Sequence, residues 1–209
     1  MDVGRQSLAK YSSRIVEALS VGIAANDSSV VRRQGAGLLR LLDDLDELLG
    51  SSQGFLFGKW LADSQKHGGT AAEKQLMRWN AQTQVTYWEY PQPDPTRPGG
   101  AMHPSNLQDY ACKQWSGLIR TYYKPRWGLF LNQTLTALAT NPAKAFDIGE
   151  FESKSYAWFN AWQADMTESY AAEPQGDAVA LSKALHEKYA ALIAHPAHSK
   201  YTASQPIVH

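Results

Sequence analysis

Between Ser29 and Leu49 the apolar residues Val31, Leu38, Leu41, Leu42, Leu45, Leu48 and Leu49 return at three- and four-residue steps. That period marks one face of an α-helix. A stripe this continuous must be covered by other elements, so the chain has to fold around this helix. The same period recurs from Arg5 to about Ala24, where Leu8, Tyr11, Ile15, Val16 and Leu19 share a face. Asn26-Asp27-Ser28 lies between the two and offers caps, and Gly50 is a stop for the second. The run Asp43-Asp44-Leu45-Asp46-Glu47 reads as a solvated helix face, because leucines interrupt it with helical period.

Further helices are expected over Phe55 to Lys66, Thr70 to about Tyr87, Ser105 to about Tyr123 and Pro125 to about Ala139. Another opens at Asp147, and a last one covers Ala178 to Ile193. Thr70-Ala71-Ala72-Glu73 has the form of a capping box, and Asp147 and Asp177 stand at cap positions. There is no repeat of fixed period and no alternating pattern of useful length for a strand. The expected fold class is all-α, a bundle of about seven helices over residues 1–194 with an irregular tail over 195–209.

Tyr90 to Pro104 contains Pro91, Pro93, Pro95, Pro98, Pro104 and Gly99-Gly100, and neither helix nor strand survives that composition. This long proline-rich loop is either a dispensable insertion or the rim of a site. Lys+Arg and Asp+Glu number 20 each among 209 residues, and no polybasic segment occurs, which argues against nucleic acid and anionic membrane as partners. No apolar run reaches the roughly 18 residues of a membrane span. Met1 to Gln6 lacks the apolar core of a signal peptide and reads as a helix already under way, so a parent protein extending upstream is expected. The single cysteine, Cys112, forms no internal disulfide framework and reads as a buried inert thiol. The six histidines show no H-E-x-x-H pairing, so no metal site is expected. Asn26 and Asn132 head glycosylation sequons.

Five of the seven tryptophans lie between Phe55 and Trp127. Trp88 stands at a helix end immediately before the proline-rich loop, and Leu107 and Tyr110 lie three apart just after it. Loop ends tend to meet, so the three form one candidate patch. Tryptophan and tyrosine rings pack on the apolar face of a pyranose while their N–H and O–H groups bind hydroxyls. Packing between helices uses the same residues, and the sequence pattern leaves both readings open.

Asn80-Ala81-Gln82-Thr83-Gln84-Val85-Thr86-Tyr87-Trp88, the block Leu107 to Leu118 and Tyr122-Tyr123-x-Pro125-Arg126-Trp127, followed by Pro174-x-Gly176-Asp177, are the specific segments of the chain. In order and spacing they resemble the C-terminal helical domain of the alpha-N-acetylglucosaminidases, glycoside hydrolase family 89. The resemblance runs from Asp2 to Tyr189. It implies a retaining hydrolase that removes terminal alpha-linked N-acetylglucosamine, typically from heparan sulfate in animals. Its two catalytic glutamates belong to a barrel domain absent from this chain. On that basis the isolated chain is expected to be inactive. The resemblance also implies packing on that barrel and a sugar pocket lined by Trp88, Leu107 and Tyr110. Asp109, Lys113, Trp115, Arg126 and Trp127 would support the wall, with an i,i+4 ion pair between Asp109 and Lys113 and Arg126 as a structural anchor. No metal or organic cofactor is implied. The parent would be lysosomal, vacuolar or secreted.

Gln82 stands where the family usually has a basic residue, Glu89 where a glycine commonly follows the tryptophan, and the Pro91 to Ser105 insertion is long. A stand-alone carbohydrate-binding or interaction module, with its apolar side exposed or covered as a homo-oligomer, remains the alternative. A scaffold whose aromatic block is only core is a third.

Overall fold

Asp27 ends the first helix and begins the second. The computed structural model describes residues 1–88, 109–140 and 146–194. Helix α1 covers Asp2–Ala24 and α2 covers Ser28–Gly50. Between them Asn26 takes a left-handed conformation, and the Asp27 carboxylate accepts the N–H groups of Ser29 (2.9 Å) and Val30 (3.1 Å). These are the donors a helix start leaves without an internal partner. The remaining helices are α3 (Phe57–Gln65), α4 (Ala71–Gln84), α5 (Lys124–Thr140), α6 (Ile148–Ala164) and α7 (Ala178–Ala194). Seven α-helices and no sheet therefore make up the described residues, with one isolated bridge between Leu56 and Ser116. The proline-rich loop and the tail from 195 fall outside them.

The caps written in the sequence are formed. Thr70 Oγ1 accepts the Glu73 N–H at 3.2 Å while Glu73 returns a carboxylate oxygen to the Thr70 N–H at 2.8 Å. Asp147 accepts from the Glu150 N–H at 2.9 Å, and Asp177 accepts from Val179 and Ala180.

Helix α2 is the axis of the bundle. Leu38, Leu41, Leu45, Leu48 and Leu49 are buried against Leu8 and Ile15 of α1, Tyr189 of α7 and Ile119. Each such side chain contributes about 1.5–3 kcal/mol relative to exposure. Gly35 lets α5 approach: a Cβ there would lie 2.7 Å from Leu131 Cδ2. A second core joins α3, α4 and α6 through Phe57, Leu61, Ala81, Val85, Tyr87, Leu118, Tyr122 and Phe159. The irregular segment 165–177 straps this half. The Gln175 N–H donates to Gly50 O at 2.8 Å, and the Tyr170 ring meets Phe57 edge-on at 4.9 Å.

One expectation fails here and a second holds only in part. The helix expected from Ser105 is not helical over the described stretch 109–117, which forms a turn and an extended run. Helical structure starts only near Leu118 and widens into a π-turn over Ile119–Tyr123, where the Lys124 N–H donates to Ile119 O five residues back. Pro125 supplies a physical reason. It has no N–H, and its ring would collide with the Thr121 carbonyl in an unperturbed α-helix. The acidic run of α2 is a solvated face only in part, with Asp43 and Glu47 exposed. Asp43 pairs with Lys124 and Asp44 with Lys188 and Tyr189. Asp46 is buried and receives the Gly117 N–H at 2.7 Å and the Arg120 N–H at 3.1 Å. Burial pushes its carboxyl above the ordinary aspartate range.

Candidate functional site

The C-terminal end of α4 turns sharply. Thr86 Oγ1 donates to Gln82 O at 2.7 Å, and the Trp88 N–H closes back on Thr83 O at 2.8 Å. Tyr87 points inward, its ring centroid 4.2 Å from that of Phe159 and its hydroxyl 3.2 Å from Ser155 Oγ. Burial holds the Tyr87 phenol above its usual value, so it serves as a neutral hydrogen-bonding group. Trp88 then adopts φ +56°, a region costly for an aromatic residue, and faces outward at 44% exposure.

The far side of the loop arrives at the same place. The Asp109 N–H donates to Thr86 O at 2.7 Å, which brings Tyr110 beside Trp88 with ring centroids 6.1 Å apart. Tyr110 is 74% exposed. The two exposed aromatic residues among the described ones thus meet, tilted by 60°. Leu107, the third residue expected here, lies outside the described residues.

Asp109, itself left-handed at φ +57°, is held from behind. Its carboxylate pairs with Arg126 and accepts the Tyr122 hydroxyl at 3.0 Å. Arg126 also donates to Tyr122 Oη at 3.1 Å, and its guanidinium lies 5.7 Å from the centre of that ring. Arg126 and Asp109 retain only 22% and 23% side-chain exposure. Tyr122 is fully buried, and burial drives its phenol far above the ordinary tyrosine value. The i,i+4 pair of Asp109 with Lys113 does not form, since no helix connects them and Arg126 takes the carboxylate.

Trp115 sits half-buried against Trp60 at 5.6 Å, and the Trp60 indole N–H donates to Ala81 O. Trp127 stacks edge-on with Phe130 at 5.6 Å. A cavity of about 340 Å³ opens beside the ion pair, lined by Asp109, Tyr123, Arg126, Trp127, Phe130 and Phe151. Cys112 is exposed rather than buried, because it sits on a turn instead of a helix face, and it accepts the Tyr123 hydroxyl at 3.4 Å. Tyr122 and Tyr123 carry no assigned role in the sequence reading. Their signal is the pair of tyrosines four and three residues before Arg126, which only the turn at Asp109 makes meaningful. The sequon residues Asn26 and Asn132 are both exposed. No helix among the described residues is long and apolar enough to cross a membrane.

The described fold and the outward aromatic pair on a hydrogen-bonded mount define an all-α helical domain with a candidate ligand-facing edge. Residues 1–188 match the family described as alpha-N-acetylglucosaminidase (NAGLU) C-terminal domain. The chain belongs to that family. It is 31% identical over 190 residues to human alpha-N-acetylglucosaminidase, a match covering 90% of this chain and 23% of the human protein. The chain thus spans about a quarter of the length of that curated relative. Among solved structures it is similar to a family 89 glycoside hydrolase from Clostridium perfringens in complex with 2-acetamido-1,2-dideoxynojirmycin. That match has a TM-score of 0.69 and 25% identity, and covers 90% of this chain and 20% of the bacterial one. A second structure of the Clostridium perfringens enzyme, in complex with its substrate GlcNAc-alpha-1,4-galactose, shares the fold with a TM-score of 0.70. It is 24% identical, over 92% of this chain and 21% of that one.

Proposed function

We propose that this chain is the C-terminal part of a retaining alpha-N-acetylglucosaminidase, packed on a catalytic barrel of the same protein, and that Trp88, Leu107 and Tyr110 line its sugar pocket. The observation that carries this reading is the exposed Trp88–Tyr110 pair, mounted by Asp109 and Arg126. Exposed aromatic faces are costly in water unless something covers them, and a pyranose with a flanking protein wall does so. The barrel would supply two glutamates, nucleophile and acid/base, spaced by about 5–5.5 Å as in retaining enzymes. The aromatic wall would shape and dry the site and carry no proton or nucleophile. Asp109, Lys113, Trp115, Arg126 and Trp127 would hold that wall. The substrate class is a glycan ending in alpha-linked N-acetylglucosamine, and the parent would reside in a lysosomal, vacuolar or secreted setting.

The test is steady-state kinetics of the complete protein with Trp88→Ala and Tyr110→Phe on an alpha-linked N-acetylglucosaminide. Loss of a stacked ring worth about 1.5 kcal/mol predicts a roughly tenfold lower kcat/KM for Trp88→Ala at near-normal folded yield. Unchanged kcat/KM in both variants would remove the wall from the mechanism. The same exposed pair also supports a second reading, a stand-alone sugar-binding module. Titration of the 209-residue chain alone with N-acetylglucosamine addresses it. Saturable binding without the barrel favours the module, and its absence removes that reading.

A further inference from the structure

We propose that Tyr122 and Tyr123, set side by side by the π-turn Ile119–Tyr123, are positioning residues whose hydroxyls clamp both ends of the turn that carries Tyr110. In a regular α-helix, neighbours in sequence diverge and do not reach the same partner. Here their ring centroids are 5.0 Å apart, and both hydroxyls address the 109–112 turn. Tyr122 Oη donates to Asp109 Oδ1 at 3.0 Å, and Tyr123 Oη donates to Cys112 Sγ at 3.4 Å. The Cys112 N–H closes the turn on Asp109 O at 2.9 Å. Tyr110 lies between the two clamped residues, so the clamps fix the backbone that presents its ring to Trp88.

The clamp is anchored from the opposite side. The Tyr122 ring packs against Trp158 (5.7 Å) and Trp162 (5.4 Å) of α6, so its hydroxyl is aimed by the second core. The start of the π-turn is fixed by Asp46 through the Gly117 and Arg120 N–H groups. Insertion of one residue into a helical turn is a recurrent way to re-aim side chains at functional sites. Here it lets two consecutive tyrosines act on one loop while Arg126, four residues beyond Tyr122, closes on the same carboxylate. The importance of the clamped pair for sugar turnover rests on the proposed function; its geometry does not.

The experiment compares Tyr122→Phe, Tyr123→Phe and Cys112→Ala in the 209-residue chain by NMR. The Trp88 indole signal is assigned by its loss in Trp88→Phe, and ring-to-ring cross-peaks between Trp88 and Tyr110 are the readout. Positioning predicts that each substitution weakens or abolishes those cross-peaks while the helical circular dichroism stays that of the folded wild type. A merely structural role predicts the reverse: phenylalanine, which keeps the ring, restores the cross-peaks in full. Wild-type cross-peaks in all three variants overturn the proposal. Cys112 is exposed, so Cys112→Ala keeps the test decisive even where a tyrosine variant folds poorly. The same substitutions in the complete protein separate the clamp from the proposed function. The clamp together with the sugar wall predicts a KM raised roughly tenfold with kcat nearly unchanged. Lost cross-peaks with an unaltered KM retain the clamp and sink the sugar-wall reading.

Discussion

The carboxylate of Asp46 accepts the backbone N–H of Gly117 at 2.7 Å, across 71 positions of sequence. The same oxygen receives the Arg120 N–H at 3.1 Å, so a side chain of α2 performs the capping that a local serine or aspartate performs elsewhere in the chain. Gly117, at φ +88° with the Tyr170 ring 2.8 Å from where a Cβ would lie, turns the chain into the π-turn at this point. The central helix therefore sets where the next helix begins. From there the linkage runs through Tyr122 to Asp109 and to the exposed aromatic pair.

Asp46→Ala leaves two backbone donors without acceptor in a buried setting and is expected to cost about 3 kcal/mol, read from urea unfolding. Asp46→Asn keeps an acceptor oxygen and should cost far less at neutral pH. The charge adds a pH signature. The folded carboxyl is raised above the 3.8 of an unperturbed aspartate, mainly by burial. The folded state thus holds the proton more tightly than the unfolded one. This contribution is fully present below 3.8 and is lost as pH rises through the folded value. Stability of the wild type relative to Asp46→Asn should therefore fall across that window. A flat difference between about pH 3.5 and pH 7 would mean that the carboxylate is not desolvated as described.

Two glycine-to-alanine changes should move stability in opposite directions. A Cβ on Gly58 would lie 2.3 Å from Ala171 O and 2.5 Å from Tyr170 O, both backbone atoms of the 165–177 strap. Gly58→Ala is expected to cost about 3 kcal/mol by forcing the strap off α3. Gly37, in the middle of α2, has open space where a methyl would sit, with nothing within 4 Å. Gly37→Ala should stabilise by about 0.5–1 kcal/mol through helix propensity and unfolded-state entropy. Thermal midpoints measured side by side decide both; equal shifts of the same sign would contradict the packing argument.

Gln82 is fully buried, and neither its amide nitrogen nor its amide oxygen has a hydrogen-bond partner. Burying such an amide unpaired costs about 1–3 kcal/mol, whereas an apolar group of similar size carries no such cost. Gln82→Leu is expected to be neutral or to gain about 1 kcal/mol in denaturant titration. A loss of comparable size would reveal a buried water bound to the amide.

Much of the bundle is legible in the sequence because its determinants are local. The leucine stripe of α2 and the caps at Asp27, Thr70, Asp147 and Asp177 each act within a few residues. The proximity of Trp88 and Tyr110 follows from the rule that loop ends meet. The segment 109–117 escapes such reasoning because a serine cap and aromatic spacing satisfy helical rules that tertiary contacts override. The Asp109 N–H is taken by Thr86 O, and the cap of the following helix comes from Asp46. Spacing cannot show this, nor which carboxylate of the α2 run is buried. The misplaced helix also carries the Asp109–Lys113 pair and the burial of Cys112 with it.

The Asp109–Arg126 pair should be energetically coupled well beyond a surface ion pair. Both side chains are three-quarters or more covered and share the Tyr122 hydroxyl, and the Arg126 guanidinium lies over its ring. Exposed pairs contribute up to about 1 kcal/mol, while removing one partner of a buried pair costs about 3–5 kcal/mol. With this partial exposure, Arg126→Met is expected to destabilise by about 2 kcal/mol. A double-mutant cycle with Asp109→Asn should return a coupling of about 1–2 kcal/mol. Because the pair is shielded, that coupling should persist when ionic strength is raised to about 1 M, where surface attractions are screened within about 3 Å. Arg126→Lys should recover only part of it, since an ammonium on a shorter, flexible stem does not reproduce the planar guanidinium placed over the Tyr122 ring. A coupling that vanishes in high salt would place the pair on the surface and remove it as the mount of Tyr110.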